Sequence, residues 1–269
     1  MFGRDGGILH QQMLATSALP SGLQSVRWVK LSPWDCSICP EITWEMITAF
    51  FHLPALRWFI CEEGLVKCGD LNVISCLLPG SSRIEHMEFT YSAIHNTALG
   101  ALARSSRSLR TFVYKFDATT VVTFHPPSLG DVLRQCALNT LEHLEVNAKY
   151  SVGSLGPLSE FAKLTYIRSS LSLLLGTRDG FSTNSIARRL GAVLPVSLIS
   201  LHLWIDPSWQ GMSIVSVIEQ FVKGRHDRLK QLKRLGVYGF VRHSDTQIIE
   251  SMCKVEGLSI ILPSFVDWA

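Results

Sequence analysis

The chain has 269 residues, of which 47% are hydrophobic and only 17% charged, so it is long enough for a large core and too apolar for intrinsic disorder. Twenty-five Lys and Arg against 22 Asp and Glu leave +3, too slight an excess for a surface that tracks phosphates; no nucleic acid is indicated.

Residues 1–18 carry one apolar stretch, Ile8 to Ala18, read as an N-terminal helix that is either the edge of the array that follows or the remnant of a missing upstream module. Asp5 follows Arg4 at once, and His10, Gln11 and Gln12 interrupt the apolar run, so the segment lacks the basic start and unbroken core of a secretory signal. From there an apolar-x-x-apolar-x-apolar pattern recurs through residues 19–269. It reads Leu23/Val26/Trp28, Leu53/Leu56/Trp58, Ile84/Met87/Phe89, Leu109/Phe112/Tyr114 and Leu141/Leu144/Val146. It continues at Leu164/Ile167/Ser169, Leu198/Leu201/Leu203 and Leu232/Leu235/Val237, with a shorter match at Leu258/Ile261. The steps run from 23 to 34 residues, giving about eight to nine repeats. Strands are expected near residues 25, 56, 87, 112, 144, 167, 201 and 235.

Between these segments the apolar period changes from 2 to 3.6, the mark of a helix after a strand. Asp70 opens one such stretch through Leu71, Ile74, Leu77 and Leu78, stopped by Pro79 and Gly80. Leu129, Val132, Leu133 and Cys136 follow Pro126 and Pro127, while Ile186, Leu190, Val193 and Leu194 stop at Pro195. Ile214, Val217, Ile218, Phe221 and Val222 form the clearest stripe, ended by Gly224, and Asp245 to Val255 repeats the theme. The longest charge-free run, Leu190 to Ile205, contains Pro195 and His202 and is shorter than the roughly 20 apolar residues that span a bilayer, so no membrane is indicated.

A strand–helix unit of this size cannot bury both elements alone, so neighbours must stack into a parallel sheet with an outer layer of helices. Polar residues between the strand leucines, such as His143, Glu145 and His202, leave one sheet face open to solvent and exclude a closed barrel. The expected fold class is therefore α/β, a leucine-rich-repeat solenoid with a curved parallel sheet on the concave face and helices on the convex face.

RSLRTFVYKF (107–116), NTLEHLEV (139–146) and VSLISLHLWID (196–206) resemble long, helix-containing leucine-rich repeats, and the interval 81–116 resembles the degenerate repeats of fungal F-box proteins. The family's ninth repeat position is Asn or Cys, whereas here it reads Leu31, Cys61, Ser92, Asp117, Lys149, Ser172, Asp206 and Phe240. No F-box is recognisable; CPEITWEMITAFFHL (39–53) is the nearest likeness and runs on into a repeat strand. The resemblance implies a substrate receptor of a cullin-RING ubiquitin ligase, bound to the ligase adaptor only if an F-box lies upstream. The alternative is a standalone inhibitor or regulator that clamps one partner enzyme.

No catalytic, cofactor or metal motif stands out. Seven scattered cysteines, an odd number, read as reduced thiols of a cytoplasmic or nuclear protein, and Cys36 and Cys39 lack a second ligand pair at zinc spacing. The basic run KGRHDRLKQLKR (223–234) reads as Lys223 and Arg225 complementing a helix C-terminus, followed by a solvated turn. What remains is a protein partner on the concave face. Side chains alternate along a strand, so the third, fifth and seventh repeat positions face outward. The fifth gives Arg57, Glu88, Glu145, Arg168 and His202; the seventh gives Phe59, Trp204 and Tyr238, large aromatics of the type enriched in binding hot spots. These eight residues are the expected partner-binding set, with Trp204 and Tyr238 as side-by-side anchors. The competing reading has a terminal loop or a shifted strand covering the aromatics.

Overall fold

Each apolar-x-x-apolar-x-apolar segment puts its fourth and sixth residues on one side of an extended chain, and the chain uses that side to bury them. The computed structural model describes residues 21–31, 44–62, 77–92, 94–116, 124–148, 153–176, 182–209, 211–239, 241 and 243–261. It divides into two units, residues 1–124 with 132–141, and residues 125–131 with 142–269. Helix α4, Pro126–Ala137, contributes residues to both.

The first unit contains α1 (Ser21–Gln24), β1 (Trp28–Leu31), α2 (Trp44–Phe51), β2 (Trp58–Glu62), β3 (His86–Thr90), α3 (Asn96–Ser105) and β4 (Thr111–Phe116). Its strands are parallel and hydrogen-bonded in chain order. Phe59, Met87 and Phe112 are register partners and fully buried; the Phe59 ring meets Phe51 edge-on at 5.1 Å and tilts against Phe89 at 5.9 Å. The second unit contains β5 (His143–Ala148), β6 (Tyr166–Ser170), α5 (Leu171–Leu175), α6 (Thr183–Val193), β7 (Ser200–Ile205), a 3-10 turn (Pro207–Trp209), α7 (Ile214–Arg228), β8 (Arg234–Gly239), α8 (His243–Val255) and β9 (Ser259–Ile261). These strands too are parallel and in chain order. Leu144, Ile167, Leu201 and Leu235 run across four of them as one row with no exposure, each worth about 1.5–3 kcal/mol of burial. The α/β class and the parallel pairing are thus as expected.

From β3 to β8 the strands lie where the repeat pattern puts them, but the first two are shifted. Val29 pairs with Phe59 and Phe59 with Met87, so the repeats there read Val26/Val29/Leu31 and Leu56/Phe59/Cys61, three residues later than expected. Trp28 and Trp58, expected in the core, are 53% and 48% exposed. The last strand is shifted by one: Ile260, not Ile261, pairs with Leu235.

Serine hydroxyls cap three helices: Ser170 on Leu173, Ser182 on Ser185 and Ser213 on Ser216. Helix α7 does not end at Gly224 as expected but runs to Arg228. Its last turn is held by Arg225, which is buried and donates to the carbonyls of Leu232 and Glu256, so this cation binds neighbouring loops and not its own helix end. Lys223 instead pairs with Glu219 at 2.7 Å, which raises its pKa. At the ninth repeat position Ser92 donates to the Cys61 carbonyl at 3.3 Å. A second hydroxyl device precedes the strands: Thr140 donates to the Leu109 carbonyl at 2.8 Å, and Ser197 to that of Leu164 at 2.9 Å. Each ties the first leucine of one repeat to the turn before the next.

Burial pushes the thiols of Cys61, Cys136 and Cys253 up to about 11, so they stay protonated and unreactive near neutrality. The expected helix at 8–18, the segment from Asp70 to Cys76, and Cys36 and Cys39 lie outside the described residues; Leu77 and Leu78 are not helical. No helix among the described residues is long and apolar enough to cross a membrane.

Candidate functional site

With the fourth and sixth repeat positions buried, the third, fifth and seventh face the other way and form an open strand surface. In the first unit the third position runs Trp28, Trp58, His86, Thr111 and the fifth Lys30, Ile60, Glu88, Val113, each a row of register partners. The Trp58 ring stacks on His86 at 4.4 Å, which fixes its orientation although half of it meets solvent. Lys30 and Glu62 pair at 2.8 Å. The His86 ring nitrogen lies 3.3 Å from Glu88, and this hydrogen bond, opposed by burial and helped by Lys115 and Lys30, holds the Glu88 carboxyl below its ordinary range.

Glu88 therefore stands where expected, but Arg57 and Phe59 do not. Phe59 has no exposure and belongs to the core; the three-residue shift moves it from the open face to the buried one. Arg57 precedes β2, half-buried, with its Nε 3.4 Å from Glu85. The aromatics actually presented are Trp28 and Trp58.

In the second unit the third position gives His143, Tyr166, Ser200, Arg234 and the fifth Glu145, Arg168, His202, Gly236. Here the face closes on itself. His143 stacks on Tyr166 at 4.0 Å, Tyr166 leans on His202 at 4.9 Å, and His202 stacks on Tyr238 at 5.7 Å. The Arg168 guanidinium sits 5.4 Å from the Tyr238 ring centroid, and its Nε lies 3.6 Å from Glu145. His202 Nδ1 is 2.6 Å from the Tyr238 hydroxyl and Nε2 is 3.0 Å from the Ser200 hydroxyl. Gly236 leaves the space in which the Tyr238 hydroxyl reaches the imidazole.

Trp204 and Tyr238 are register partners, as the sequence predicts. Trp204 is half-buried; Tyr238 is 5% and His202 6% exposed, so these two are covered by their neighbours and act as structure. Glu145 is buried as well, and Arg168 is half-buried beside it. Burial, aided by Glu145, pushes the Tyr166 hydroxyl up to about 12. Burial, with Arg168, Arg234 and His143 nearby, pushes His202 down to about 4, so the imidazole is neutral and uses one nitrogen as donor and the other as acceptor. Ser200, His202 and Tyr238 have the bonding order of a nucleophile, a base and its orienter, but Ser200 is only 3% exposed and the relay is spent internally.

The chain matches no protein-family model and no curated protein sequence at a significant level.

The neutral His202 predicts a pH dependence. Its folded pKa lies below the ordinary value of 6.5, so the unfolded chain takes up the proton first and stability falls as pH drops from 6.5 toward 4, levelling below that. The group contributes up to about 3 kcal/mol across this window. Urea denaturation at pH 7 and pH 4 should show a smaller acid loss in His202→Gln than in the wild type. Equal losses would mean that His202 is charged in the fold.

The third row was the part of the site missed by sequence reasoning. Alternation assigns it to the open face together with the fifth and seventh, and in the correct register it would have returned Trp28, Trp58, His86, His143 and Tyr166.

Proposed function

We propose that the chain is a non-enzymatic protein-interaction array of the leucine-rich-repeat kind, comparable to the substrate-recognition repeats of F-box-like ubiquitin-ligase receptors. The repeated six-residue pattern, the parallel strands in chain order and the helices between them support the repeat reading. The observation that carries the function is the pair Trp28 and Trp58: register partners on adjacent strands of an open face, each about half exposed. Large aromatics left in solvent lose the benefit of burial, and tryptophan is the residue most enriched where partners bind. The partly buried Trp204 offers a smaller aromatic contact on the second unit.

Affinity capture with wild type and with the double variant Trp28→Ala/Trp58→Ala tests the reading. Partners retained by the wild type should be lost by the variant, roughly thirtyfold or more in Kd for a hot-spot aromatic. Its melting temperature should stay close to wild type, because side chains already half exposed contribute little to folding. Retention of the same partners by the variant would refute the assignment. Co-capture of the ligase adaptor separates a ubiquitin-ligase receptor from a standalone regulator, which would hold its target enzyme without it.

A further inference from the structure

We propose that the cleft between α6 and α7 of the second unit binds a small phosphate monoester, held by Arg188 and Arg228 over the buried charge of Arg225. Neither helix contributes to the strand face. The cleft measures about 360 Å³, at the small end of the range for ligand pockets, and both its walls belong to the same unit.

Glycines in both walls make the room. Asn184, Arg188 and Gly191 follow one another at helical spacing along α6, as Gln220, Gly224 and Arg228 do along α7, so each set shares one helix face. A Cβ added at Gly191 or Gly224 would meet nothing within 4 Å, and the buried Ala187, Phe221 and Leu229 form an apolar floor. Glycine inside a helix is less stable than alanine, so two glycines beside open space keep the cleft open at a cost to the helices.

The charges of the lining do not balance. Arg225 is 8% exposed, and its guanidinium donates to backbone carbonyls, Nη1 to Leu232 at 3.2 Å and Nη2 to Glu256. Its Nε–H is buried and meets no acceptor among the described residues. A buried cation without a counter-ion is costly, so an anion brought beside it is favoured. The side chains of Arg188 and Arg228 are exposed and form no ion pair or hydrogen bond among the described residues. Asp227, the one carboxylate among the described lining residues, is exposed and equally unpaired, and the Glu256 carboxylate is taken by His226 at 2.9 Å. Three guanidiniums against one carboxylate leave two positive charges in the cleft, the match for the two negative charges of a phosphate monoester. Arg188 and Arg228 supply paired N–H donors to its oxygens from opposite walls, and Asn184 and Gln220 offer amides to its organic part.

The test is isothermal titration calorimetry of the full chain in phosphate-free Tris buffer with glycerol 3-phosphate, phenyl phosphate, succinate and glycerol. Both esters should bind, one per chain and at least about tenfold tighter than succinate, which carries the same charge on a different shape, and glycerol should not bind. Arg188→Gln/Arg228→Gln should weaken the esters about tenfold or more with no change in melting temperature. Gly191→Ala/Gly224→Ala should weaken them severalfold while raising the melting temperature, a combination that misfolding cannot produce. Trp28→Ala/Trp58→Ala should leave ester binding unchanged, and a loss there would place the ligand on the strand face instead. Equally tight succinate would overturn the phosphate preference. Binding that ignores the arginine pair or the glycine pair, or failure of both esters to bind, would refute the site.

Discussion

Alanine in place of Gly130 should lower the melting temperature by roughly 10 °C, the largest stability loss we expect from adding one methyl group to this chain. Gly130 lies inside α4, where alanine is ordinarily better than glycine by about 1 kcal/mol. Here the sign reverses. A Cβ at this position would come within 1.8 Å of the Leu155 carbonyl oxygen and 2.7 Å of its carbon. Neither is the far end of a flexible side chain. Leu155 is fully buried and its N–H is bonded to the Leu173 carbonyl at 2.8 Å, so the loop cannot retreat without breaking that bond. Overpacking at a fixed backbone costs about 3 kcal/mol, the upper end of the usual range. Gly191 and Gly224 provide the control. They also lie inside helices, but a Cβ on either meets nothing within 4 Å. Gly191→Ala and Gly224→Ala should therefore stabilise by about 0.5–1 kcal/mol. Thermal denaturation of the three variants decides the matter: a Gly130→Ala protein as stable as the wild type would mean that the helix does not approach Leu155 as described.

The strands were legible wherever the repeat had only one way to match. Leu198/Leu201/Leu203 has no competing frame three residues on, because Asp206 would then fill the sixth position, and its strand pairs as read. At the start of the chain the pattern fits twice, because a shift of three carries the first repeat position onto the fourth. Leu53/Leu56/Trp58 and Leu56/Phe59/Cys61 both satisfy it, and hydrophobicity alone does not choose between them. Residue type does not separate buried from exposed aromatics, since much of any protein surface is apolar. The frame is decided by packing: Phe59 fits among Phe51 and Phe89, while Trp58 finds only the His86 ring. The second unit shows the converse. Its register matches the repeat pattern, yet the sequence does not show that Tyr238 is covered, because a contact between neighbouring strands depends on side-chain direction. Gly236 was the visible clue, a residue with no side chain at an outward position where its register partner is His202.

Gly236→Ala should accordingly destabilise the second unit and release His202. Glycine in a strand ordinarily costs about 0.5–1 kcal/mol against alanine, so a neutral environment would make the substitution favourable. The added Cβ would instead lie 2.6 Å from His202 Nδ1, 2.7 Å from Tyr238 Cε2 and 2.9 Å from the Tyr238 hydroxyl. It occupies the path of the 2.6 Å contact between the imidazole and the phenol. One ring must move outward, which opens the stack that runs through Tyr166 and uncovers His202. We expect a net loss of about 1–3 kcal/mol in urea denaturation. The His202 pKa, about 4 in the intact stack because burial dominates it, should climb toward 6.5 as the ring is hydrated, a change that NMR titration of the imidazole reads directly. Tyr238→Phe removes only the hydroxyl and should cost about 1 kcal/mol. Tyr238→Ala removes two of the three close contacts and leaves the His202 ring room to turn from the third, so the double variant with Gly236→Ala should lose less than the sum of the single losses, a departure from additivity. Additive losses, or a Gly236→Ala protein whose His202 still titrates near 4, would show that the glycine is not what admits the tyrosine.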